Sequence, residues 1–321
     1  MEPCLVSFDK CHLLGERALH TRWHVRACQR VCPTTVSRLN KASMTRILAT
    51  LLVWLLPVSA PAQGVPLHFG VIPNMSTRVL LEAHQPLVDY LAHALKRPVY
   101  LETAPDFAKF VARTREGRYD LLLTPPHLAY LAEVEAGYRP LFAYANPVQG
   151  MLVVPKRGPL QTLNDLKGKT IAMADPLGIV VMMMEVELNR AGLLQGRDFI
   201  RIEAGSHNNA ALLVVHGKAQ AAVLGVLPFQ RLPAEIRQEL RALAYTRPVL
   251  SQVYLASANL PDADVGALNA ALGAFAQTAS GREFFERGGL GGLVPVSAAD
   301  LQRLDRYGKE VARRLARGAG R

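Results

Sequence analysis

Residues 119–136 read Tyr-Asp-Leu-Leu-Leu-Thr-Pro-Pro-His-Leu-Ala-Tyr-Leu-Ala-Glu-Val-Glu-Ala, an apolar strand that passes through two prolines into a helix. The loops at residues 73–77 and 205–209 join a strand to a helix in the same way. The first N–H groups of such helices lack intrahelical partners and lie at the positive end of the helix dipole. Three such starts indicate a cleft for a small polar or anionic ligand, although capping by Ser, Thr and Asn accounts for any single loop.

Strands and helices alternate along the chain from Leu67 onward. This alternation favours an α/β fold with two mostly parallel sheets flanked by helices. Strand-rich breaks at residues 145–150 and 246–251 divide the chain, so we expect two lobes joined by a two-strand hinge. We assign residues 63–147 and 249–321, with the C-terminal helices, to the first lobe and residues 148–248 to the second.

Residues 44–62 have the pattern of a secretory signal peptide. Arg46 supplies a short positive start, residues 47–56 form an apolar run, and Ala60-Pro61-Ala62 is a small-residue cleavage pattern. The apolar run is shorter than the ~20 residues that span a bilayer. We expect export to the periplasm, with Met44 as the true initiator and residues 1–43 as an upstream extension from a start codon assigned too early. A retained N-terminal anchor is the alternative.

The charge of the chain is positive, but its distribution does not indicate a nucleic-acid-binding protein. Residues 1–43 carry a net +4 and Arg46 adds one, which leaves +6 of the total +11 for residues 63–321. Much of this excess falls in the last predicted helix, at Arg303, Arg306, Lys309, Arg313, Arg314 and Arg317. We interpret these residues as a solvated helix face, since no aromatic-interleaved basic patch or recognition helix accompanies them.

The sequence contains no enzyme signature that we can identify. It has no G-x-S-x-G elbow, no H-E-x-x-H and no P-loop. All four cysteines precede Met44, and the Cys28/Cys32 pair has no second pair of ligands at a workable spacing. We therefore expect a monomeric binding protein that is not an enzyme and that uses neither a metal nor a cofactor.

Several short motifs occur together in one order. They are Phe69-Gly70-Val71-Ile72-Pro73, Tyr119-Asp120-Leu121-Leu122-Leu123, Leu163-Asn164-Asp165-Leu166-Lys167-Gly168-Lys169, Asp175-Pro176 and Gly205-Ser206-His207-Asn208-Asn209-Ala210-Ala211. In this order they resemble the phosphate/phosphite/phosphonate-binding, PhnD-like family of ABC-transporter periplasmic solute-binding proteins. The resemblance covers nearly all of residues 66–290. It implies the periplasmic-binding-protein type II fold, a small-molecule ligand between two lobes, and an ABC permease of the inner membrane as partner.

The resemblance also implies which residues hold the ligand, through helix N-termini, hydroxyls and histidine. The matching positions are Asn74, Ser76, Thr77, Thr124, His127, Asp175, Gly178, Ser206, His207 and Asn208. Gly178 is included because the absence of a side chain lets a ligand come close to the backbone N–H groups of residues 178–180. The chain departs from the family at residues 177–184, where Leu-Gly-Ile-Val-Val-Met-Met-Met replaces a Ser/Thr-rich run. A phosphonate-like ligand and a less charged or partly apolar ligand therefore both remain open.

From these observations we predict the periplasmic solute-binding component of an ABC importer. The alternative is a sensing module of the same fold that reports to a membrane receptor or histidine kinase. Both functions need the same cleft, and they differ in the surface that docks to the membrane partner.

Overall fold

The computed structural model describes residues 64–318, so the upstream extension and the signal peptide assigned above lie outside the described residues. The strands are β1 (Leu67–Val71), β2 (Val99–Glu102), β3 (Leu121–Thr124), β4 (Arg139–Tyr144), β5 (Gly150–Pro155), β6 (Thr170–Met173), β7 (Ile200–Glu203), β8 (Ala221–Gly225), β9 (Leu240–Tyr245), β10 (Val253–Ala256) and β11 (Leu293–Pro295). The α-helices are α1 (Thr77–Leu95), α2 (Phe107–Arg115), α3 (Pro126–Ala136), α4 (Ile179–Arg190), α5 (His207–Val215), α6 (Val226–Gln230), α7 (Ala234–Gln238), α8 (Asp262–Phe275), α9 (Ala279–Arg287), α10 (Ala298–Gln302) and α11 (Asp305–Gly318).

The strands form two sheets, which confirms the predicted two-lobed α/β architecture. The first sheet has the order β11-β4-β10-β3-β1-β2, and the second has the order β7-β6-β8-β5-β9. In the first sheet β1 is parallel to β2 and β3, and in the second β6 is parallel to β7 and β8. The other pairings are antiparallel, so the sheets are mixed rather than mostly parallel. The reason is that the chain, where it passes from one lobe to the other, enters the new sheet at the edge where the parallel strands of that sheet end. Strands β5 and β10 therefore run in the opposite direction to their neighbours β8 and β3.

The two segments that cross between the lobes pair with each other. Val148 and Val249 exchange two backbone hydrogen bonds of 3.0 and 2.9 Å, which confirms the predicted two-strand hinge. Thr246 is buried beside this bridge, and its hydroxyl accepts a hydrogen bond of 2.9 Å from the Gly150 amide. The lobe boundaries at residues 147/148 and 248/249 stay a prediction.

Helix α1 forms because its apolar residues recur on one face. Leu80, Leu87 and Leu91 have at most 1 % of their surface exposed, and they pack in one buried cluster with β1 and β3. Each such side chain contributes about 1.5–3 kcal/mol of burial free energy. Asp106 caps the start of α2, since its Oδ1 accepts a 2.7 Å hydrogen bond from the Lys109 amide.

The last predicted helix, which carries the basic residues between Arg303 and Arg317, is divided in the structure into two helices, α10 and α11. The chain turns between them so that Leu301 and Leu304 are both buried. Helix α11 packs against α3 of the first lobe. The two helices approach closely at Gly308, where an added Cβ would lie only 2.4 Å from the ring of Tyr130. The C-terminal helix therefore supports the start of α3.

Candidate functional site: a cleft between two sheet edges

The predicted ligand residues lie at one edge of each sheet. Because β1 and β3 are parallel neighbours, the loops that follow them lie at the same edge of the first sheet. Because β6 and β7 are parallel neighbours, the loops before α4 and α5 lie together at the edge of the second sheet. The first edge carries Asn74, Ser76, Thr77, Thr124 and His127, and the second carries Asp175, Gly178, Ser206, His207 and Asn208.

The two edges contact each other through His127. This residue lies in the first turn of α3 and is fully buried, and its Nε2 is 2.8 Å from the carbonyl oxygen of Leu177 in the second lobe. A carbonyl only accepts hydrogen bonds, so Nε2 carries the proton. Burial lowers the pKa of His127 to about 4, which keeps the ring neutral at pH 7. Its Nδ1 is then a hydrogen-bond acceptor, and it has no partner among the described residues.

The first loop presents hydroxyl groups to solvent. Ser76 is the N-cap residue of α1 and has extended backbone angles, but its side chain makes no capping hydrogen bond. Asn74, Ser76 and Thr77 are all exposed. The first amides of α1 have no intrahelical partner. This helix start therefore offers both hydroxyl and amide donors.

The start of α3 offers fewer donors than the other helix starts. Pro125 and Pro126 have no N–H group, and the amides of Leu128 and Ala129 both donate to the Pro125 carbonyl. Thr124 is fully buried and its hydroxyl has no partner among the described residues. Thr124 lines a cavity of about 10 Å³ between α2 and α3, which is close to the minimum volume for one water molecule.

The loop before α4 is held by its own aspartate. Oδ1 of Asp175 accepts a 2.7 Å hydrogen bond from the Leu177 amide, and the Gly178 amide donates to the Asp175 carbonyl at 2.9 Å. Burial raises the pKa of Asp175, against the opposing effect of the Leu177 hydrogen bond. The amides of Val181 and Met182 bond to the Gly178 carbonyl, which leaves the amides of residues 179–180 at the helix start.

The apolar run that follows this loop packs between the lobes. Residues 177 and 179–184 belong to one buried cluster that also contains Leu128 and Leu131 of α3 and Val311 of α11. The position of the family's Ser/Thr-rich run is thus occupied here by apolar side chains that join the two lobes.

The start of α5 contains a capping serine beside a neutral histidine. The hydroxyl of Ser206 accepts a 3.2 Å hydrogen bond from the Asn209 amide. His207 is half-buried, and burial lowers its pKa to about 4. Its Nδ1 has no partner among the described residues, and Asn208 is exposed. His207 is therefore uncharged at pH 7.

None of the ten predicted residues supplies a positive charge at pH 7. Two are histidines held neutral by burial, and one, Asp175, is acidic. An anion at this site would be stabilised by helix dipoles, amide groups and hydroxyls.

Three charged residues near this loop were not among the predicted site residues. Arg314 of α11 donates to the Pro176 carbonyl and to Glu185, and Glu185 also accepts from Arg201. The sequence does contain one signal for Arg314, because this residue continues the helical spacing of the buried residues Leu304, Tyr307 and Val311. Unlike Arg313 or Arg317, it does not belong to a fully solvated face.

Two α/β lobes joined by a two-strand hinge, with helix starts at the facing sheet edges, define a periplasmic binding protein of type II. Residues 69–301 match the family model for periplasmic phosphonate substrate-binding proteins of ABC transporters. The match spans most of the chain, and the protein belongs to this family.

Solved structures of similar fold include ABC-transporter binding proteins. A binding-protein component of an ABC phosphonate transporter from Pseudomonas aeruginosa has a TM-score of 0.69 and 16% identity, over 77% of this chain and 87% of that chain. PhnD1 from Prochlorococcus marinus in complex with methylphosphonate has a TM-score of 0.68 and 15% identity, over 77% and 98%. XAC2383 from Xanthomonas citri, bound to chloride ion, has a TM-score of 0.64 and 22% identity, over 78% and 99%. At these identities the likeness shows the fold.

None of the helices within residues 64–318 combines the length and apolar character that a membrane span requires. In the same part of the chain, His, Cys, Asp and Glu side chains form no group of three or more that could hold a metal ion.

Proposed function

We propose that this protein captures a small oxyanion of the phosphonate or sulfonate class between its lobes and delivers it to an ABC permease. The ligand residues in this proposal are the ten assigned from the sequence. The family is defined by transport, so this proposal is preferred to a sensing role.

The hydrogen bond between His127 and the Leu177 carbonyl supports the proposal most directly. It brings the start of α3 in the first lobe against the loop that begins α4 in the second. The starts of α3 and α4 are therefore adjacent across the lobe boundary, the arrangement that a ligand held by both lobes requires. Unpartnered polar atoms of His127 and His207 at these starts are consistent with groups that meet a ligand.

The available donors are sufficient for a useful affinity. A micromolar dissociation constant needs about 8 kcal/mol, and a hydrogen bond to a charged group contributes about 1.5–3 kcal/mol. About four such bonds are required, and the amides at the starts of α1, α4 and α5 together with Ser76 and Thr77 supply at least that number.

Calorimetric titration of residues 63–321 tests the proposal with matched compounds. Methylphosphonate, phosphite and methanesulfonate share an oxyanion, whereas dimethyl sulfone resembles methanesulfonate without the charge. We expect binding of at least one oxyanion and no binding of dimethyl sulfone. Small-angle scattering should show a smaller radius of gyration in the presence of the oxyanion that binds. Equal binding of dimethyl sulfone, or failure of all three oxyanions to bind, would refute the oxyanion site.

The proposal includes a cellular context that a second measurement checks. Residues 44–62 direct export and are removed before Gln63, residues 1–43 are not translated, and the mature protein is a periplasmic monomer of two lobes divided at residues 147/148 and 248/249. N-terminal sequencing of the protein recovered from a periplasmic extract should begin at Gln63. A mature chain that begins upstream of Met44 would contradict this assignment.

A further inference from the structure

Three charged side chains with little access to water form a hydrogen-bonded network that joins the C-terminal helix, α11, to the second lobe. Nη1 of Arg314 donates to the Pro176 carbonyl and Nη2 donates to Oε2 of Glu185, both at 2.6 Å. Oε1 of Glu185 accepts a 3.2 Å hydrogen bond from Nη1 of Arg201. The side chains of Arg314, Glu185 and Arg201 are 24%, 15% and 8% exposed. Glu185 thus lies between two guanidinium groups.

The contacts made by Arg314 cross from one lobe to the other. Helix α11 packs against α3 of the first lobe, where Tyr307 and Val311 are buried. Pro176 and Glu185 belong to the loop after β6 and to α4 of the second lobe. Separation of the lobes must therefore break both hydrogen bonds from Arg314 to the second lobe.

These contacts are made at the loop that presents the second lobe's helix start. The carbonyls of Pro176 and Leu177 are consecutive, and they accept hydrogen bonds from Arg314 and His127 respectively. Two side chains of the first lobe therefore hold the segment between Asp175 and Gly178. The amides of residues 179–180 follow directly after this segment.

Arg314 and Glu185 each have a second charged partner within their own lobe, which allows the contact between them to form and break reversibly. When the lobes separate, Glu185 keeps its partner Arg201, so the second lobe is not left with an isolated buried carboxylate. Within α11, Oε1 of Glu310 accepts a 2.8 Å hydrogen bond from Nε of Arg314. This bond orients the guanidinium before the second lobe arrives and lowers the entropic cost of closure.

We propose that Arg314 is a positioning residue for ligand capture, which clasps the Pro176 carbonyl and Glu185 and so fixes the start of α4 against the ligand. The inference rests on the proposed function, because it assumes that closure of the lobes holds the ligand. Arg314 itself acts through the loop and does not need to touch the ligand.

The test compares Arg314→Gln with a matched control, Arg313→Gln. Arg313 is the neighbouring arginine, 65% exposed, and its ion pair with Glu310 stays within α11. Residues 63–321 contain no cysteine, so spin labels can be placed at Ala83→Cys and Lys218→Cys, two exposed positions in different lobes. The interlobe distance is measured by electron–electron double resonance without ligand, and affinity is measured with methylphosphonate and methanesulfonate.

We expect Arg314→Gln to shift the interlobe distances toward longer values without ligand and to raise Kd about tenfold or more, the effect of losing a hydrogen bond to a charged group. Arg313→Gln should leave both quantities unchanged. Arg314→Lys should recover only part of the effect, since an ammonium group cannot reproduce the fork that reaches two acceptors. Equal distances and equal Kd for the two glutamine variants would overturn the proposal.

Two further measurements separate a clasp from a general loss of stability and from failure of the proposed function. Glu185→Gln removes the negative charge from the same contact on the side of the other lobe, so the double variant with Arg314→Gln should bind no more weakly than the weaker single variant. Additive losses would contradict the clasp. If neither oxyanion binds the wild-type protein, the proposed ligand class fails, yet the ligand-free distances still decide whether Arg314 holds the lobes together.

Discussion

Helix α11 contacts α3 closely at Gly308, and replacement of this glycine by alanine tests the contact. The new Cβ would lie 2.4 and 3.0 Å from two ring carbons of Tyr130 and 3.1 Å from the His127 carbonyl oxygen. Carbon atoms in contact normally lie about 3.5–4.0 Å apart. Tyr130 is only 6% exposed, so its ring has little space into which it can move. The helix must therefore shift away from α3.

The sign of the stability change follows from two opposing terms. Alanine is favoured over glycine inside a helix by about 1 kcal/mol, whereas overpacking of a close contact costs about 1–3 kcal/mol and sometimes more. The difference is a net loss of about 0–2 kcal/mol for Gly308→Ala, and the 2.4 Å approach to the Tyr130 ring places it at the upper end of this range. We also expect weaker oxyanion binding, because Arg314 lies on the same helix.

Urea unfolding followed by circular dichroism measures this loss, since both tryptophans of the chain precede residue 63. The matched control is Gly266→Ala in α8, where an added Cβ meets no heavy atom within 4 Å. This control should gain about 0.4–1 kcal/mol. If both variants gained stability to the same extent, the packing of α11 on α3 described above would be refuted.

Three further perturbations test individual contacts. Ser206→Ala should lower the unfolding free energy by about 1 kcal/mol, because it removes a helix cap. Ser76→Ala removes no cap, so it should leave the unfolding free energy within about 0.5 kcal/mol and weaken oxyanion binding about tenfold or more. The reverse pattern in urea unfolding and calorimetry would contradict both assignments. Thr246→Val leaves the Gly150 amide without its side-chain acceptor and should lower the unfolding free energy by about 1–3 kcal/mol, and an unchanged urea midpoint would show that this hinge bond is dispensable. Burial lowers the pKa of His127 to about 4, below its ordinary 6.5, so the unfolded chain binds the proton more tightly than the folded protein does. The contribution of this histidine to the unfolding free energy, about 2–3 kcal/mol, is therefore present above pH 6.5 and lost as pH falls toward 4. His127→Gln should make the dependence of stability on pH less steep in that range, and an equally steep dependence would contradict the assignment.

Much of the fold is readable from local patterns in the sequence. The helix from Thr77 to Leu95 follows from its apolar periodicity, and the start of α2 follows from Asp106. The antiparallel strands could not be predicted in this way, because the direction of β5 and β10 depends on where the chain enters the next sheet. Local composition carries no information about that entry point.

The candidate site was predictable in its parts but not in its contacts. The starts of α1, α3 and α5 were identified because a strand, a short loop and a helix follow each other within a few residues, whereas the start of α4 was assigned from the family resemblance. The interlobe contacts of His127 and Arg314 join positions 50 and 138 residues away in the chain. Such pairs depend on how two lobes meet, and a single sequence does not reveal this.

Hydrogen–deuterium exchange of residues 63–321, with and without saturating methylphosphonate, tests the central claim most directly. If the helix starts of both lobes hold one oxyanion, exchange should slow together at the first amides of α1, α4 and α5, near residues 77–79, 179–180 and 207–208. Protection confined to one lobe, or unchanged exchange at all three starts under saturating ligand, would contradict a cleft in which both lobes bind the solute.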